Sequence, residues 1–102
     1  MNISFLTSVR VTVKEGQAEK CVDAVGKWKA PVDMNGYLAQ TGDRSFCFTG
    51  IFKDKESLVQ GRPSMVAHLD TVRDLLEEIA ADLGVTDPVS GPVVVEKLNW
   101  CV

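Results

Sequence analysis

Apolar and polar residues alternate from Ser8 to Lys14, with Val9, Val11 and Val13 on one side and Ser8, Arg10, Thr12 and Lys14 on the other. A period of two is that of a strand with one apolar face. Glu15-Gly16 breaks the pattern, and Ala18, Cys21, Val22, Val25 and Trp28 then recur at helical spacing until Pro31 discourages continuation. Gly26 inside that helix costs about 1 kcal/mol relative to alanine, so it either permits a close contact that a side chain would block or is merely tolerated. After the turn signal Asn35-Gly36, Tyr37 to Thr41 make a short second strand, and Gly42-Asp43 sits where a tight hairpin turn belongs.

The third strand is expected over Ser45 to Lys53. Phe46, Phe48, Gly50 and Phe52 share one of its faces, and Cys47, Thr49 and Ile51 share the other, so neither face is made for water. Asp54 to Gln60 read as a strand exit with a short helical turn, interrupted by Gly61-Arg62-Pro63 before Ser64 caps a longer helix. On that helix Met65, Leu69, Val72, Leu76, Ile79 and Leu83 form one stripe, and Gly84 stops it. Pro88 to Pro92 read as a turn-rich connection into a last strand, Val93 to Leu98, with Trp100 in the tail.

The predicted order is strand, helix, strand, strand, helix, strand, the split βαβ arrangement of an α+β, ferredoxin-like βαββαβ fold with an antiparallel sheet. One domain spanning residues 1–102 is expected, since a chain of 102 residues with 45% hydrophobic and 25% charged content has the size and composition of one core. A single layer of helices covers only one face of a sheet. The second apolar face calls for a second layer, and a partner copy is the economical source, so a homodimer is expected.

Charge and cysteines narrow the partners. The formal net charge of −3 is spread along the chain and leaves no basic field for a phosphate backbone, so no nucleic acid is expected. No apolar run approaches the roughly 20 residues that cross a bilayer, so no membrane is expected either. Cys21, Cys47 and Cys101 are odd in number and lack metal-ligand spacing, which suits reduced thiols. Met1 to Arg10 lack the basic start and long apolar run of a secretory signal, so a cytoplasmic location is expected.

The Lys14-Glu15-Gly16 turn, Asn35-Gly36-Tyr37, the aromatic third strand running into Lys53-Asp54-Lys55-Glu56-Ser57-Leu58, and Pro63 before the long helix together resemble the antibiotic biosynthesis monooxygenase family. The resemblance spans nearly the whole chain in short pieces. It implies a dimeric α+β barrel, two ferredoxin-like sheets packed together with helices outside and a pocket in each subunit. Some members oxidise hydroxylated aromatic compounds with molecular oxygen and no metal, flavin or haem, so no cofactor is expected here. In haem-degrading relatives an Asn on the first strand, a Trp ending the third strand and a His starting the long helix carry the chemistry. Those places hold Val9, Phe52 and Ser64 in this chain, which disfavours haem degradation, because neither Val9 nor Phe52 donates a hydrogen bond and Ser64 is a poor axial ligand. Phe52 also replaces the Trp favoured in quinol-oxidising members while keeping an aromatic wall.

His68 is the one side chain whose ordinary pKa lies near neutrality, and it flanks the apolar stripe of the long helix. It is the candidate catalytic base for a phenolic substrate, set against a boundary histidine bonded to water or backbone. Phe46, Phe48 and Phe52, with Gly50 leaving room between them, make one wall of a cavity for an aromatic ligand or else plain core. Tyr37 and Trp28 offer a polar tip on an aromatic ring, and Arg10 offers a cation to a phenolate or else a solvated ion pair. The sequence has no phosphate-binding glycine loop, nucleophile elbow or metal constellation. Three readings remain: a cofactor-independent monooxygenase acting on a small aromatic or quinol-type molecule in an apolar pocket, a non-catalytic dimeric module that binds a small hydrophobic molecule or a protein, or a purely structural domain whose pocket is filled by its own phenylalanines.

Overall fold

The structure is a computed structural model that describes residues 3–100. Cys101, counted above with the reduced thiols, lies outside the described residues. The elements are β1 (Phe5–Val13), α1 (Ala18–Lys27), β2 (Met34–Gln40), β3 (Ser45–Phe52), α2 (Lys55–Val72), β4 (Leu76–Glu77) and β5 (Asp87–Pro92), with a turn of 3₁₀ helix at Arg73–Leu75 before β4. The sheet is antiparallel. β3 lies between β2 and β1, and the far side of β1 is shared by β4 at its C-terminal end and β5 along the rest. Two helices and an antiparallel sheet in this order make an α+β ferredoxin-like fold.

β1 pairs with β3 from Phe5 opposite Phe52 to Thr12 opposite Ser45. That register puts Val11 and Val13 on the same side as Phe46 and Phe52, the side on which the helices pack. One cluster of buried residues joins Val13, Cys21, Phe46 and Leu76, and a second joins Met34, Phe52 and Leu58. Burying side chains of this size contributes about 1.5–3 kcal/mol each. On the opposite side the Ser8 hydroxyl lies 3.2 Å from the Cys47 thiol and 3.5 Å from the Thr49 hydroxyl, a partly buried polar strip.

Several element boundaries differ from those the sequence predicts. β2 starts at Met34, so Asn35-Gly36 lies within the strand opposite Ile51 and Gly50, and the turn falls at Asp33, whose φ of 64° is tolerated by aspartate. The long helix starts at Lys55, not after Ser64. Asp54 caps it, its side chain accepting from the Ser57 backbone N–H and from the Ser57 hydroxyl, both at 2.8 Å. The helix carries Pro63 inside it, a position that gives up one backbone hydrogen bond.

That helix also ends early, at Val72. Leu76 belongs to the apolar stripe but reaches the core by another route: the chain turns into β4, and Leu76 packs opposite Val13. The Lys14 backbone N–H donates to the Leu75 carbonyl at 2.8 Å and holds this turn to the sheet. Ile79 to Gly84 form a loop closed by the Ile79 N–H on the Gly84 carbonyl and the Gly84 N–H on the Ala80 carbonyl.

The last strand is Asp87–Pro92, and Val93 to Leu98, expected to be that strand, lie beyond it. The two prolines are accommodated by register. Val93 N–H donates to the Ser4 carbonyl at 2.8 Å, so the odd-numbered residues of β5 bond to β1. Pro88 and Pro92 then stand where an N–H would face the open edge, and the sheet loses nothing by its absence.

Gly61 lies where α2 meets the sheet. A Cβ there would come within 2.8 Å of Phe52 Cε1 and 3.0 Å of Pro31 Cβ, so the glycine permits close packing of helix, strand and the loop after α1. Gly26, for which such a contact was one reading, has nothing within 4 Å of a built Cβ. The two positions are therefore expected to respond oppositely to alanine. Gly26→Ala should raise stability by about 0.5–1 kcal/mol through helix propensity. Gly61→Ala gains the same propensity, yet overpacking costs about 1–3 kcal/mol, so it should lower stability on balance. Denaturant midpoints measure both, and a Gly61→Ala protein as stable as Gly26→Ala would mean that the helix can shift freely.

Candidate functional site

A cavity of about 480 Å³ lies between α2, the end of α1 and the inner face of the sheet. α2 contributes Met65, His68, Leu69 and Val72, β1 contributes Thr7, Val9 and Val11, and the far wall is formed by Pro88, Val89 and Ser90 of β5. It exists because β1 presents valines rather than large side chains beneath α2, so the helix rests on the two core clusters and leaves the space between them open.

Three of the sequence-predicted residues meet on its wall. The His68 imidazole stacks on the Trp28 indole with ring centroids 4.8 Å apart and planes 17° from parallel. Trp28 meets Phe48 edge to face at 5.9 Å and 67°. Such aromatic contacts contribute about 0.5–1.5 kcal/mol beyond the area they bury, and they fix the plane of the histidine ring.

His68 Nε2 is buried and has no hydrogen-bond partner among the described residues. Buried polar atoms are nearly always paired, and one left unpaired costs about 1–3 kcal/mol. Burial also holds the His68 pKa below the ordinary 6.5, because the charged ring would lose its hydration. At neutral pH the ring is uncharged and can accept a proton.

The other predicted residues lie elsewhere. Phe46 and Phe52 are core residues, 2% and 0% exposed, one in each buried cluster. Phe46 borders a second cleft, about 460 Å³, between α1 and β2, which shares Trp28 and Phe48 with the first cavity. Space beside Gly50 is taken by Met34, whose Sδ would sit 3.0 Å from a Cβ at that glycine. Tyr37 is 56% exposed on β2. Arg10 lies across from Asp87 on β5 and pairs with its carboxylate, an exposed ion pair outside the cavity lining.

Four polar residues of the cavity, Thr7, Arg62, Thr86 and Ser90, were given no role from the sequence. Thr7 is 6% exposed, the sole polar residue among the fully buried ones described, and its hydroxyl accepts from Ser90 Oγ at 2.9 Å. Extending the alternation of β1 back from Val9 would have placed Thr7 on the inner face. Ser90 was hidden inside a segment read as a turn, and Arg62 inside a segment read as a helix break. Cys21 also reaches the lining, and burial pushes its thiol pKa up, which makes it a small apolar group and not a nucleophile. Among the described residues no group of three or more His, Cys, Asp or Glu side chains could hold a metal ion, and no helix is long and apolar enough to cross a membrane.

No family model and no curated protein matches the sequence. Solved structures do match its fold. A dimeric ferredoxin-like protein from an uncultured marine organism superposes with a TM-score of 0.73 at 9% identity, over 97% of this chain and 95% of that one. A candidate antibiotic biosynthesis monooxygenase from Chloroflexus aurantiacus gives 0.71 at 12% identity, over 92% and 96%. A variant of SnoaB, a cofactor-independent oxygenase from Streptomyces nogalater, gives 0.56 at 13% identity, over 91% and 95%. At these identities the likeness is one of architecture, and it is specific at that level: this chain has the α+β ferredoxin-like fold found among antibiotic biosynthesis monooxygenases.

Proposed function

We propose that this chain is a cofactor-independent monooxygenase-like enzyme acting on a small aromatic or quinol-type molecule in the cavity under α2. The observation that carries this reading is the buried, unpartnered Nε2 of His68, held in plane by Trp28 on the wall of an apolar cavity. A flat ring fits against Trp28 and Phe48, and its hydroxyl supplies the hydrogen bond that Nε2 lacks.

His68 takes the phenolic proton, leaving an electron-rich anion. A hydrogen-bearing ring carbon ortho or para to the anionic oxygen bonds to molecular oxygen, the O–O bond then breaks, one oxygen stays as the quinone carbonyl, and the other leaves as water with the hydrogen of that carbon and the proton held by His68. The substrate supplies all the electrons, so the protein's tasks are proton removal, orientation and exclusion of water. General-base catalysis of this kind contributes about 10²–10⁴-fold. The Thr7–Ser90 hydroxyl pair supports the second reading, a binding module without turnover, since Ser90 donates to Thr7 and Thr7 to the Val89 carbonyl, which leaves a ligand a polar anchor and no charge stabilisation.

We infer that the chain is a homodimer. In support, the described residues after β5 expose Val94, Leu98 and Trp100 at 85%, 84% and 91%, large apolar side chains that a partner copy would cover. A ferredoxin-like neighbour of this fold is dimeric. Sedimentation equilibrium at micromolar concentration should give twice the 11.1 kDa chain mass, and a monomer mass would remove the inference.

Oxygen consumption by metal-free protein, offered a panel of hydroquinones and polyhydroxylated aromatics with denatured protein as blank, tests the enzymatic reading. Turnover is expected, with His68→Ala and His68→Phe both slower by about 10²-fold or more, the phenylalanine keeping the aromatic contact to Trp28 and a melting temperature close to the parent's at pH 7. Ligand-induced melting shifts without oxygen uptake would transfer support to the binding module.

The protonation of His68 gives a separate test on the protein alone. Unfolded chain takes up this proton near pH 6.5 and folded chain only at lower pH, so the unfolded state binds more protons in between. The stability this histidine contributes is complete above pH 6.5 and is lost as the pH falls through the folded-state value. Melting temperatures measured in steps downward from pH 7 should decline for the parent protein and less steeply for His68→Phe. Equal slopes would show that the imidazole is freely hydrated.

A further inference from the structure

Of all the side chains on the cavity lining, Arg62 is the one that carries a permanent charge, and no carboxylate accompanies it there. Every other arginine of the chain has an acidic partner: Arg10 with Asp87, Arg44 with Glu77, Arg73 with Asp70. Arg62 forms no ion pair or hydrogen bond among the described residues, although the chain as a whole is acidic at −3. It stands on the exposed side of α2 at the mouth of the cavity, with its neighbours Met65 and Val66 on the lining below it.

Arg62 and His68 are six positions apart on one helix, a separation of about 9 Å along the axis. Between them the lining is apolar, closed by Leu69 and, across the cavity, by Val89. The site therefore has two polar ends of different kind. One end is a neutral, partnerless proton acceptor, and the other is a free guanidinium that presents a planar fork of donors to water.

We propose that the cavity selects hydroxylated aromatic acids, with the ring against Trp28, the hydroxyl toward His68 and the carboxylate held at the mouth by Arg62. The proposal rests on the reading of the cavity as an aromatic-ligand site and names the class of ligand it takes. A ring bearing its hydroxyl and its carboxylate at opposite ends spans the distance from helix-borne base to helix-borne cation. Guanidinium and carboxylate match as two parallel charge-assisted hydrogen bonds, a geometry that lysine cannot reproduce. Because Arg62 is exposed, the contact also weakens with salt, as attraction between hydrated charges does.

The test compares 3,4-dihydroxybenzoate with its methyl ester, which keeps the ring and hydroxyls and removes the charge. Dissociation constants from isothermal titration at low ionic strength, with anaerobic protein so that no turnover intrudes, are expected to favour the acid by about tenfold, equivalent to 1.4 kcal/mol. Arg62→Gln should bring the ratio of the two constants close to one, Arg62→Lys should keep part of it, and added salt should erode it in the parent protein. Acid and ester binding equally well to the parent protein would overturn the role of Arg62 while leaving the aromatic site intact. A preference for the acid that persists in Arg62→Gln would do the same. If neither compound binds, the aromatic-ligand reading falls together with this proposal.

Discussion

Every strand of this protein other than β2 is paired to β1. β3 runs along one side of it for eight residues, from Phe5 opposite Phe52 to Thr12 opposite Ser45, and β4 and β5 divide the other side between them. A strand with neighbours on both sides must satisfy its backbone in two directions at once, so a slip of one residue would disrupt three ladders and turn the valines outward. The alternation from Ser8 to Lys14 is thus the constraint on which the rest depends. It decides which face the helices cover, places Val13 beneath Leu76 and Phe46, and leaves the smaller valines where the cavity opens.

The parts of the fold that were legible in the sequence are those governed by local period. α1 and β3 fall where their spacing puts them, within a residue, and β1 ends within a residue of its expected end but starts at Phe5, three residues ahead of the alternation. The second half of the chain was harder because an apolar stripe at four- and three-residue spacing does not say whether the chain continues as helix. Met65, Leu69 and Val72 are on α2, but Leu76 shares their stripe and belongs to a strand, since a place beside Val13 is open to it in the sheet. Pro88 and Pro92 misled in the opposite sense. Proline argues against a central strand, and only the pairing register shows that these two face an open edge, which is long-range information.

The site was legible in its apolar half. Trp28, Phe48 and His68 come from three different elements, and the sequence offered each of them for its chemistry without a means of bringing them together. The stacking of His68 on Trp28 depends on how far α2 leans over the end of α1, which is set by the missing side chain at Gly61 and by Pro31 packed against it. Phe46 and Phe52 carry the same chemistry as Phe48, but they lie deeper, under helices that contact them directly, and the difference is one of depth that a period-two pattern does not contain. Ser90 and Arg62 were concealed by their neighbours: a serine between prolines reads as a turn, and an arginine between glycine and proline reads as a break.

The prolines of β5 have a further effect on how this sheet meets other chains. An unpaired strand edge is a template on which a foreign strand can add, and repeated addition is the route to fibrillar aggregates. Along the outer side of β5, Pro88 and Pro92 offer carbonyls without matching N–H groups, and Ser90 stands alone between them. A strand approaching there finds an interrupted ladder. Growth of the sheet by addition is left to the opposite margin, along β2, so the molecule has one receptive side and one blunted side, and uncontrolled stacking in both directions is closed to it.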